Sequence, residues 1–422
     1  MAETFKYIHA SDLHLDQPIR GVAELPPHLK SSLANAPYEA AFRVFDEAIA
    51  ERVDFVLLSG DLFDPKTSGP RSFAFLIEQF NRLMERKITV YWVAGQVDPP
   101  NHLPSGMELP CNVITFSSSD VEVVQHHKNG TPVATIMGAA FAVDRDEFSD
   151  FFASPNTPFP IAFTHGEIEP ALTEKSNIRY WAMGGRHTSL EKKTTDGWIV
   201  YPGTPQGRSV FETGSCGCTL AQVDGEQELR LSKIETDCIR WLPQIINVSE
   251  DTSVDALKNT LAERASKISR DAPQKNALIH WHLLTTGELN PSFRQAARRN
   301  ALTEWLRTEF GAASHGCLWT TSVSIEPPKQ LPGQWFDEDT ILGEYLRAIG
   351  RFQNDERLGI SLQEFLPKQF KHGSFAGMAQ LTQETRAEIL NESIMIGVDY
   401  MATDLSNDQP PTISSPDDPE ST

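Results

Sequence analysis

The stretch that decides the fold is IHASDLHLDQPIRG at residues 8–21, in which a short apolar run ends in Asp12 and His14. Three later stretches also close an apolar run with a residue that can bind metal: LLSGDLFD (57–64), VAGQVDPP (93–100) and FTHGE (163–167). A turn in YWAMGGRH (180–187) adds His187. The apolar runs are short, rich in β-branched or aromatic residues, and bounded by polar or turn residues, which predicts buried strands. Carboxylates and imidazoles therefore recur where predicted strands end.

Between these strands the apolar residues follow helical spacing, as they do from Ala41 to Ile49 and from Phe73 to Leu83. Strands that alternate with helices of this length indicate βαβ units in an α/β domain whose sheet is covered on both faces. Ligands gathered at the carboxyl ends of such strands are what a divalent transition-metal site requires. In the D-x-H motif, we expect Asp12 and His14 to point the same way because alternate strand residues share a face.

The pattern changes around Trp241. A small αβαβ module follows, with strands at ALIHWHLL (277–284) and CLWTTSVSI (317–325), and further helical patterns cover 341–349 and about 384–401. The last twenty residues contain five acids, four prolines and no base, which is typical of a disordered tail. We therefore predict four segments, which are a main domain (1–239), a small αβ domain (240–330), a helical region (331–402) and a disordered acidic tail (403–422).

Composition limits the function through charge. The chain of 422 residues carries 37 basic and 57 acidic side chains, a net charge of −20, and its 40% hydrophobic content excludes a wholly disordered protein. A uniformly acidic surface repels nucleic acid. The charge is uneven, however, at −12 over residues 1–239, +2 over 240–330 and −10 over 331–422. The charge argument against nucleic-acid binding therefore does not apply to residues 240–330.

The five cysteines and the N-terminus bear on the compartment. The only close pair, Cys216 and Cys218, has one residue between, which fits neither a disulfide framework nor a zinc ribbon. The first residues lack the pattern of a signal peptide, and no apolar run reaches the roughly 18 residues that a membrane helix needs. We expect a soluble, cytoplasmic protein without membrane attachment.

Each motif has an ordinary structural explanation when it stands alone, because a G-D turn is often only a turn. Together and in this order, the motifs resemble the calcineurin-like metallophosphoesterases, and within them the SbcD-type (YhaO-like) DNA repair exonucleases. YPGTPQGRS at 201–209 and GCTLAQVDG at 217–225 strengthen the narrower resemblance, which extends over most of residues 5–330. It implies an α/β fold with a β-sandwich flanked by helices, a small αβ capping domain facing DNA, and a helical C-terminal region.

The resemblance also implies metal-dependent hydrolysis of phosphodiester bonds in DNA, as an exonuclease or endonuclease of DNA repair that works with an SbcC-like ATPase and forms a homodimer. The family carries two divalent metal ions, usually manganese, bridged by one aspartate. The first metal is expected to take four residues, which are Asp12, His14, the bridging Asp61 and His187. The second is expected to take Asp61, His165, the asparagine of a GNHD motif and the first histidine of a GHxH motif.

The sequence departs from this pattern at three positions. GNHD reads GQVD, so that Gln96 replaces the asparagine and Val97 the catalytic histidine, and GHxH reads GGRH, so that Gly185 replaces a ligand. Valine cannot titrate or donate a proton, and glycine offers no ligand, whereas Gln96 could still coordinate the second metal through its amide oxygen on a side chain one methylene longer. We therefore expect a well-formed first metal site, weak or no binding at the second, and no assigned catalytic residue. His102 and Arg186 could replace the lost proton donor or charge; the alternative is that both are ordinary loop residues.

The remaining expectations concern partners. Arg294, Arg298 and Arg299 form either a solvated helix face or a surface that contacts the DNA backbone. The amphipathic stretch 341–349 either packs on its own core or docks on the ATPase. Three functions stay open: a DNA phosphodiesterase, attenuated by its departures; a catalytically impaired DNA- or ATPase-binding scaffold of the same fold; and a small-substrate phosphatase, which would not need a capping module.

Overall fold

A computed structural model gives the structure of the chain. It describes residues 3–22, 24–66, 68–98, 108–140, 151, 153, 154, 156–168, 176–249, 251–271, 275–286, 296–312, 317–325, 333–354, 386, 389, 390, 393, 394 and 397. The chain divides into two compact units. The first comprises Met1–Gln244, Arg264–His280 and Leu306–Thr321, and the second comprises Ile245–Glu263, Trp281–Trp305 and Ser322–Thr422.

The first unit contains two six-stranded sheets. Their strands are β1 (Phe5–Ala10), β2 (Phe55–Leu58), β3 (Thr89–Val93), β4 (Val113–Phe116), β5 (Glu122–Lys128), β6 (Thr131–Ala139), β7 (Pro160–His165), β8 (Tyr180–Gly184), β9 (Leu190–Lys193), β10 (Trp198–Tyr201), β11 (Gly217–Val223) and β12 (Leu229–Glu235). The first sheet has the order β12-β11-β1-β2-β3-β4, and the second has the order β5-β6-β7-β8-β10-β9. Within them, β1 to β4 pair in parallel, as do β6, β7, β8 and β10.

Two helices cover one face of the first sheet, α1 (Pro27–Ala50) and α2 (Pro70–Glu85). Each begins with a proline, whose fixed φ and missing N–H suit the first helical position. The predicted apolar faces of both helices pack in one core with strand residues such as Ile8, Val56 and Trp92. The sequence pattern thus correctly placed two βαβ units.

The opposite face of the first sheet packs against the second sheet. Alternate strand residues such as Tyr7, Phe55 and Tyr91 point this way and share a core with Ile161 and Phe163 of β7. The sheet is covered on both faces, by helices on one and by strands on the other. The predicted fold class is confirmed as an α/β fold with two multistranded sheets flanked by helices.

The rest of the chain forms a smaller sheet and further helices. Its elements are β13 (Ile239–Ser249), α3 (Val254–Asp271), β14 (Asn276–Thr286), α4 (Ala296–Phe310), β15 (Leu318–Ile325), α5 (Gly333–Asp337) and α6 (Ile341–Asn354). The sheet has the order β13-β14-β15. The predicted αβαβ module is therefore present, and β13 adds a strand that the sequence analysis did not predict. The four predicted segment limits remain predictions.

Helix α6 corresponds to the predicted amphipathic stretch. Leu342 and Leu346 are buried against a group of partly buried apolar side chains that includes Trp335, Phe336 and Ile394. This face packs within the second unit, and its docking on an ATPase remains a prediction. The pattern at 384–401 is described only at six helical residues, and the tail at 403–422 lies outside the described residues. Among described helices, none combines the length and hydropathy needed to cross a bilayer.

Candidate metal centre

The two loops that follow β1 and β2 bring the first ligand candidates together. Strand β1 ends at Ala10, and Asp12 and His14 both adopt left-handed backbone conformations with φ of 55° and 41°. The turn, not strand alternation, therefore brings His14 Nε2 to 3.9 Å from Asp12 Oδ1. The backbone N–H of Asp12 donates to Gly60 O at 3.0 Å, and that of His14 donates to Asp61 O at 3.1 Å. These bonds fix the two loops to each other.

One group of ligand candidates consists of Asp12, His14 and His187, whose ligand atoms all lie within 4.8 Å of one another. His187 Nε2 lies 3.2 Å from His14 Nε2 and 3.8 Å from Asp12 Oδ1. Burial is the main reason that the pKa of His14 falls to about 3, which keeps that imidazole neutral. At this distance one ring can donate a hydrogen bond from Nε2 to the other, or both nitrogens can ligate one metal ion.

A second group consists of Asp12, Asp61 and His165, all buried. His165 Nδ1 donates to the backbone carbonyl of Ser59 at 2.7 Å, so its Nε2 carries the lone pair and lies 3.6 Å from Asp61 Oδ2. Asp12 belongs to both groups, whereas the expected bridging residue, Asp61, belongs to the second group alone. Metal bridging by Asp61 remains a prediction.

These donors fit a divalent transition metal. His187 Nδ1 lies 2.7 Å from Glu212 Oε1, and this hydrogen bond is the main cause of the raised pKa of His187. When neutral, the ring donates from Nδ1 and directs the lone pair of Nε2 into the cluster. The Oδ1 atom of Asp12 is buried and accepts no hydrogen bond within the described part of the chain. A buried, unpartnered carboxylate oxygen facing two imidazoles is suited to such an ion.

Asp98, from the GQVD motif, has a different position. Its buried carboxylate accepts hydrogen bonds from four N–H groups, namely those of Asp61, Leu62, Gly95 and the Trp92 indole, at 2.9–3.1 Å. Burial raises its pKa to about 7, against the opposing effect of these backbone bonds. Asp98 therefore joins the loop after β3 to the loop that carries Asp61 and lies in neither ligand group.

The three departures differ in structure. Gln96 is exposed, and its side chain makes no hydrogen bond with the residues that the structure describes. Val97 is half-buried, and its backbone N–H donates to Asp61 Oδ1 at 3.1 Å. Gly185 has φ of +88°, and its N–H donates to Asp12 Oδ2 at 3.1 Å. Two of the replaced positions thus contribute backbone donors to the carboxylates of the cluster.

The two suggested substitutes are not seen assisting the cluster. Arg186 is exposed, and its guanidinium makes no hydrogen bond or ion pair within the described ranges. His102 lies outside the described residues. The catalytic role of either residue remains a prediction.

Sequence reasoning missed two residues, Arg208 and Glu212. The guanidinium of Arg208 is largely buried, and its Nη1 donates to Gln17 Oε1 at 2.6 Å. Its Nη2 lies 3.3 Å from Glu212 Oε1 and 3.2 Å from His187 Nδ1. Arg208 belongs to the stretch YPGTPQGRS quoted above. An arginine in this motif, followed four residues later by an acid, was the sequence signal that could have identified both residues.

The predicted DNA contacts lie in the second unit. Arg298 is exposed and Arg299 is half-buried on α4, while Arg294 lies outside the described residues. The ligand groups belong to the first unit. Contact of these arginines with DNA remains a prediction.

Comparison with known proteins adds three findings. Residues 5–200 match the family model described as calcineurin-like phosphoesterase. The chain is 29% identical over 344 residues to the metallophosphoesterase YhaO of Bacillus subtilis, covering 77% of this chain and 83% of that protein. It is 22% identical over 298 residues to the DNA double-strand break repair protein Mre11 of Methanococcus maripaludis, covering 62% of this chain and 76% of that protein.

Among solved structures, the chain is similar to a dimetal phosphatase from Danio rerio, with a TM-score of 0.34 and 11% identity over 55% of this chain and 97% of that chain. The sequence matches agree with the resemblance that the motifs indicated, both to the calcineurin-like group and to its YhaO-like branch.

Proposed function

We propose that the chain is a metal-dependent phosphodiesterase that hydrolyses DNA, a proposal supported by the match of residues 5–200 to the calcineurin-like phosphoesterase model. The observation that carries the proposal is the pair of ligand groups that share Asp12 where the strands of two sheets end. A divalent ion bound there supplies charge neutralisation at the phosphoryl oxygens. Manganese is the ion that the resemblance to this family favours.

The chain's own residues have separable roles in this proposal. His14 and His187 offer imidazole nitrogens, and Asp12 offers an oxygen that no described donor occupies. Glu212 and Ser59 O hold the rings of His187 and His165 in orientation. Val97 cannot donate a proton, so the leaving group receives no general-acid assistance from that position. Such assistance commonly raises the rate by about 10²–10⁴-fold. We therefore expect slow turnover.

DNA as the substrate is supported by the similarity to an Mre11 protein that is named for double-strand break repair. It is also supported by the local charge of residues 240–330, which is +2 in a chain of net charge −20. Backbone contact through Arg298 and Arg299 would be independent of sequence and sensitive to salt. We further propose, from the family resemblance, an SbcC-like ATPase partner and a homodimer.

A second candidate is favoured by Val97 and Gly185, which remove a proton donor and a ligand. In that case the chain is a DNA- or ATPase-binding scaffold that keeps one metal group. The two candidates differ in a measurable way, because only the enzyme turns over phosphodiester bonds.

The deciding experiment incubates the full chain with manganese and a labelled DNA duplex, beside the variants Asp61→Asn and Asp64→Asn. Asp64 is the matched control, since it lies in the same GDLFD motif but in neither ligand group. Cleavage by the wild type and by Asp64→Asn, with loss in Asp61→Asn, supports the enzyme. Binding without cleavage supports the scaffold, and neither binding nor cleavage contradicts both. Labels at the 5′ and 3′ ends distinguish exonuclease from endonuclease products.

A further inference from the structure

A tight turn lies next to the candidate metal centre. The backbone N–H of Glu212 donates to Ser209 O at 3.0 Å, which places Val210 and Phe211 at the two central positions of a β-turn. Arg208 directly precedes this turn and Glu212 is its last residue, and both side chains contact His187. The turn tip is therefore anchored within one or two residues of side chains that reach the ligand cluster.

The anchoring makes the turn rigid. Arg208 N–H donates to Glu212 Oε2 at 2.6 Å, and Arg208 O accepts from Arg20 N–H at 2.9 Å. A Cβ atom on Gly207 would lie 2.4 Å from Glu212 O, so the chain can approach itself this closely only with glycine there. A preorganised loop of this kind loses little conformational entropy when it binds a partner.

The side chains at the tip contradict the usual chemistry of turns. Central turn positions favour glycine, proline, asparagine, aspartate and serine, whereas this turn presents valine and phenylalanine. Phe211 is 88% exposed and Val210 is 45% exposed. The Phe211 ring makes no aromatic contact with the residues that the structure describes. Departures from the residue preferences of turns are expected at functional sites. An exposed valine and phenylalanine at these positions therefore indicate a binding surface.

Two exposed arginines lie on segments that adjoin the turn or the ligand cluster. Arg20 is joined to the turn through its backbone bond to Arg208, and Arg186 directly precedes His187. Neither guanidinium forms a hydrogen bond or ion pair within the described part of the chain. Residues 1–239 carry a net charge of −12, so two exposed arginines that form no ion pair with a described residue are exceptions within an acidic segment.

We propose that Phe211, Arg20 and Arg186 form a surface for a nucleic-acid strand, in which Phe211 stacks on a nucleobase and the two arginines contact phosphates. The occupant follows from the chemistry: an aromatic face binds any base, and guanidinium groups bind the flanking phosphates. The inference rests on the proposed function and deepens it, because it places the base of the strand beside the centre that would receive its phosphate.

The test uses fluorescence anisotropy of a labelled single-stranded oligonucleotide with the manganese-loaded full chain. Phe211→Ala should weaken binding about tenfold, since one base stacked on an aromatic ring contributes about 1–3 kcal/mol. Phe211→Trp should keep binding within about twofold, and its added emission should change when the oligonucleotide binds. Arg20→Ala and Arg186→Ala should each weaken binding and reduce its salt dependence.

Val123→Ser and Arg86→Ala are the matched controls, because both positions are exposed and lie on other elements. Manganese affinity should be the same in Phe211→Ala as in the wild type, which separates loss of the surface from damage to the metal centre. Wild-type protein that binds and cleaves DNA while Phe211→Ala binds equally well overturns the surface and leaves the proposed function standing. Wild-type protein that binds no DNA overturns both.

Discussion

The Oε1 atom of Glu212 lies 2.7 Å from Nδ1 of His187, and Nε2 of the same ring faces Asp12 and His14. A carboxylate behind an imidazole fixes its tautomer and orientation and makes its free nitrogen a better ligand. The same carboxylate lies 3.3 Å from Nη2 of the largely buried Arg208. Glu212 therefore links the charge of Arg208 to the orientation of His187.

Replacing Glu212 by glutamine should lower manganese affinity about tenfold, since outer contacts of this kind are typically worth 10–100-fold in affinity. Glutamine keeps the shape and an acceptor oxygen but removes the charge. Isothermal titration calorimetry measures the affinity directly, without recourse to activity. Glu226→Gln is the control, because Glu226 is exposed on the turn between β11 and β12. Equal affinities in the three proteins would refute the positioning role of Glu212.

Val97→His should raise turnover. The φ of Val97 is not in the left-handed region, and its side chain is half-buried. A histidine can therefore be accommodated at this position. Its N–H already donates to Asp61 Oδ1, which holds the position beside the cluster. We expect at least a tenfold gain in kcat for phosphodiester hydrolysis, with a new bell-shaped dependence on pH. A Val97→Asn variant, which cannot titrate, should show neither change.

Gly185 should tolerate neither alanine nor the histidine that the GHxH motif has at this position. Its φ of +88° is unfavourable for any residue with a Cβ, and a Cβ there would lie 3.0 Å from His165 Nε2. Gly185→Ala should cost about 1–2 kcal/mol in the free energy of unfolding, and Gly185→His should not add a second tightly bound manganese ion. Urea unfolding and metal analysis after gel filtration measure the two effects.

The control for this loss is Gly350→Ala, because Gly350 lies inside α6, has no left-handed φ and has open space around its Cβ position. This change should stabilise the fold by up to about 1 kcal/mol. Two tightly held ions in Gly185→His would contradict the view that this backbone has adapted to glycine.

The sequence predicted buried strands such as β1, β2, β3 and β7, but it missed exposed edge strands and also the buried strands β10 and β11. Strands such as β2 are buried at every residue, so they read as continuous apolar runs. By contrast, β5 and β9 are the edge strands of the second sheet and are mostly exposed, so their sequences carry little apolar signal. Strand β13 is another such case, since it alternates buried and exposed residues and contains Pro243.

The candidate site was predictable where its residues directly follow strands. Asp12, Asp61 and His165 come at or just after the ends of β1, β2 and β7. Strand pairing brings the ends of β1 and β2 together, whereas His165 reaches them from the second sheet. Glu212 lies 25 residues from His187 in sequence and reaches it from a turn. The left-handed φ of Asp12 was equally invisible, because no local pattern distinguishes it from an extended residue. Three-dimensional context decides both.

Buried His126 should lower the stability of the fold as the pH falls below 6.5. His126 is buried between the sheets, where its Nδ1 lies 2.9 Å from Tyr91 Oη and its ring lies 4.6 Å from that of Phe55. Burial lowers its pKa to about 4, an effect that Asp54 opposes and Lys128 reinforces. The folded pKa is thus below the ordinary value of 6.5, so the unfolded chain binds the proton first.

The stabilisation from neutral His126 is therefore complete above pH 6.5 and is lost progressively as the pH falls toward 4. Urea unfolding at pH 7 and pH 5 should show a loss in the wild type that is larger, by about 1 kcal/mol, than in His126→Gln, which keeps an acceptor for Tyr91 but cannot titrate. His9, whose pKa burial lowers to about 3, adds the same dependence to every variant and cancels from the difference. His127→Gln, at the exposed neighbouring position, should behave as the wild type; an equal loss in His126→Gln would show that His126 does not carry the effect.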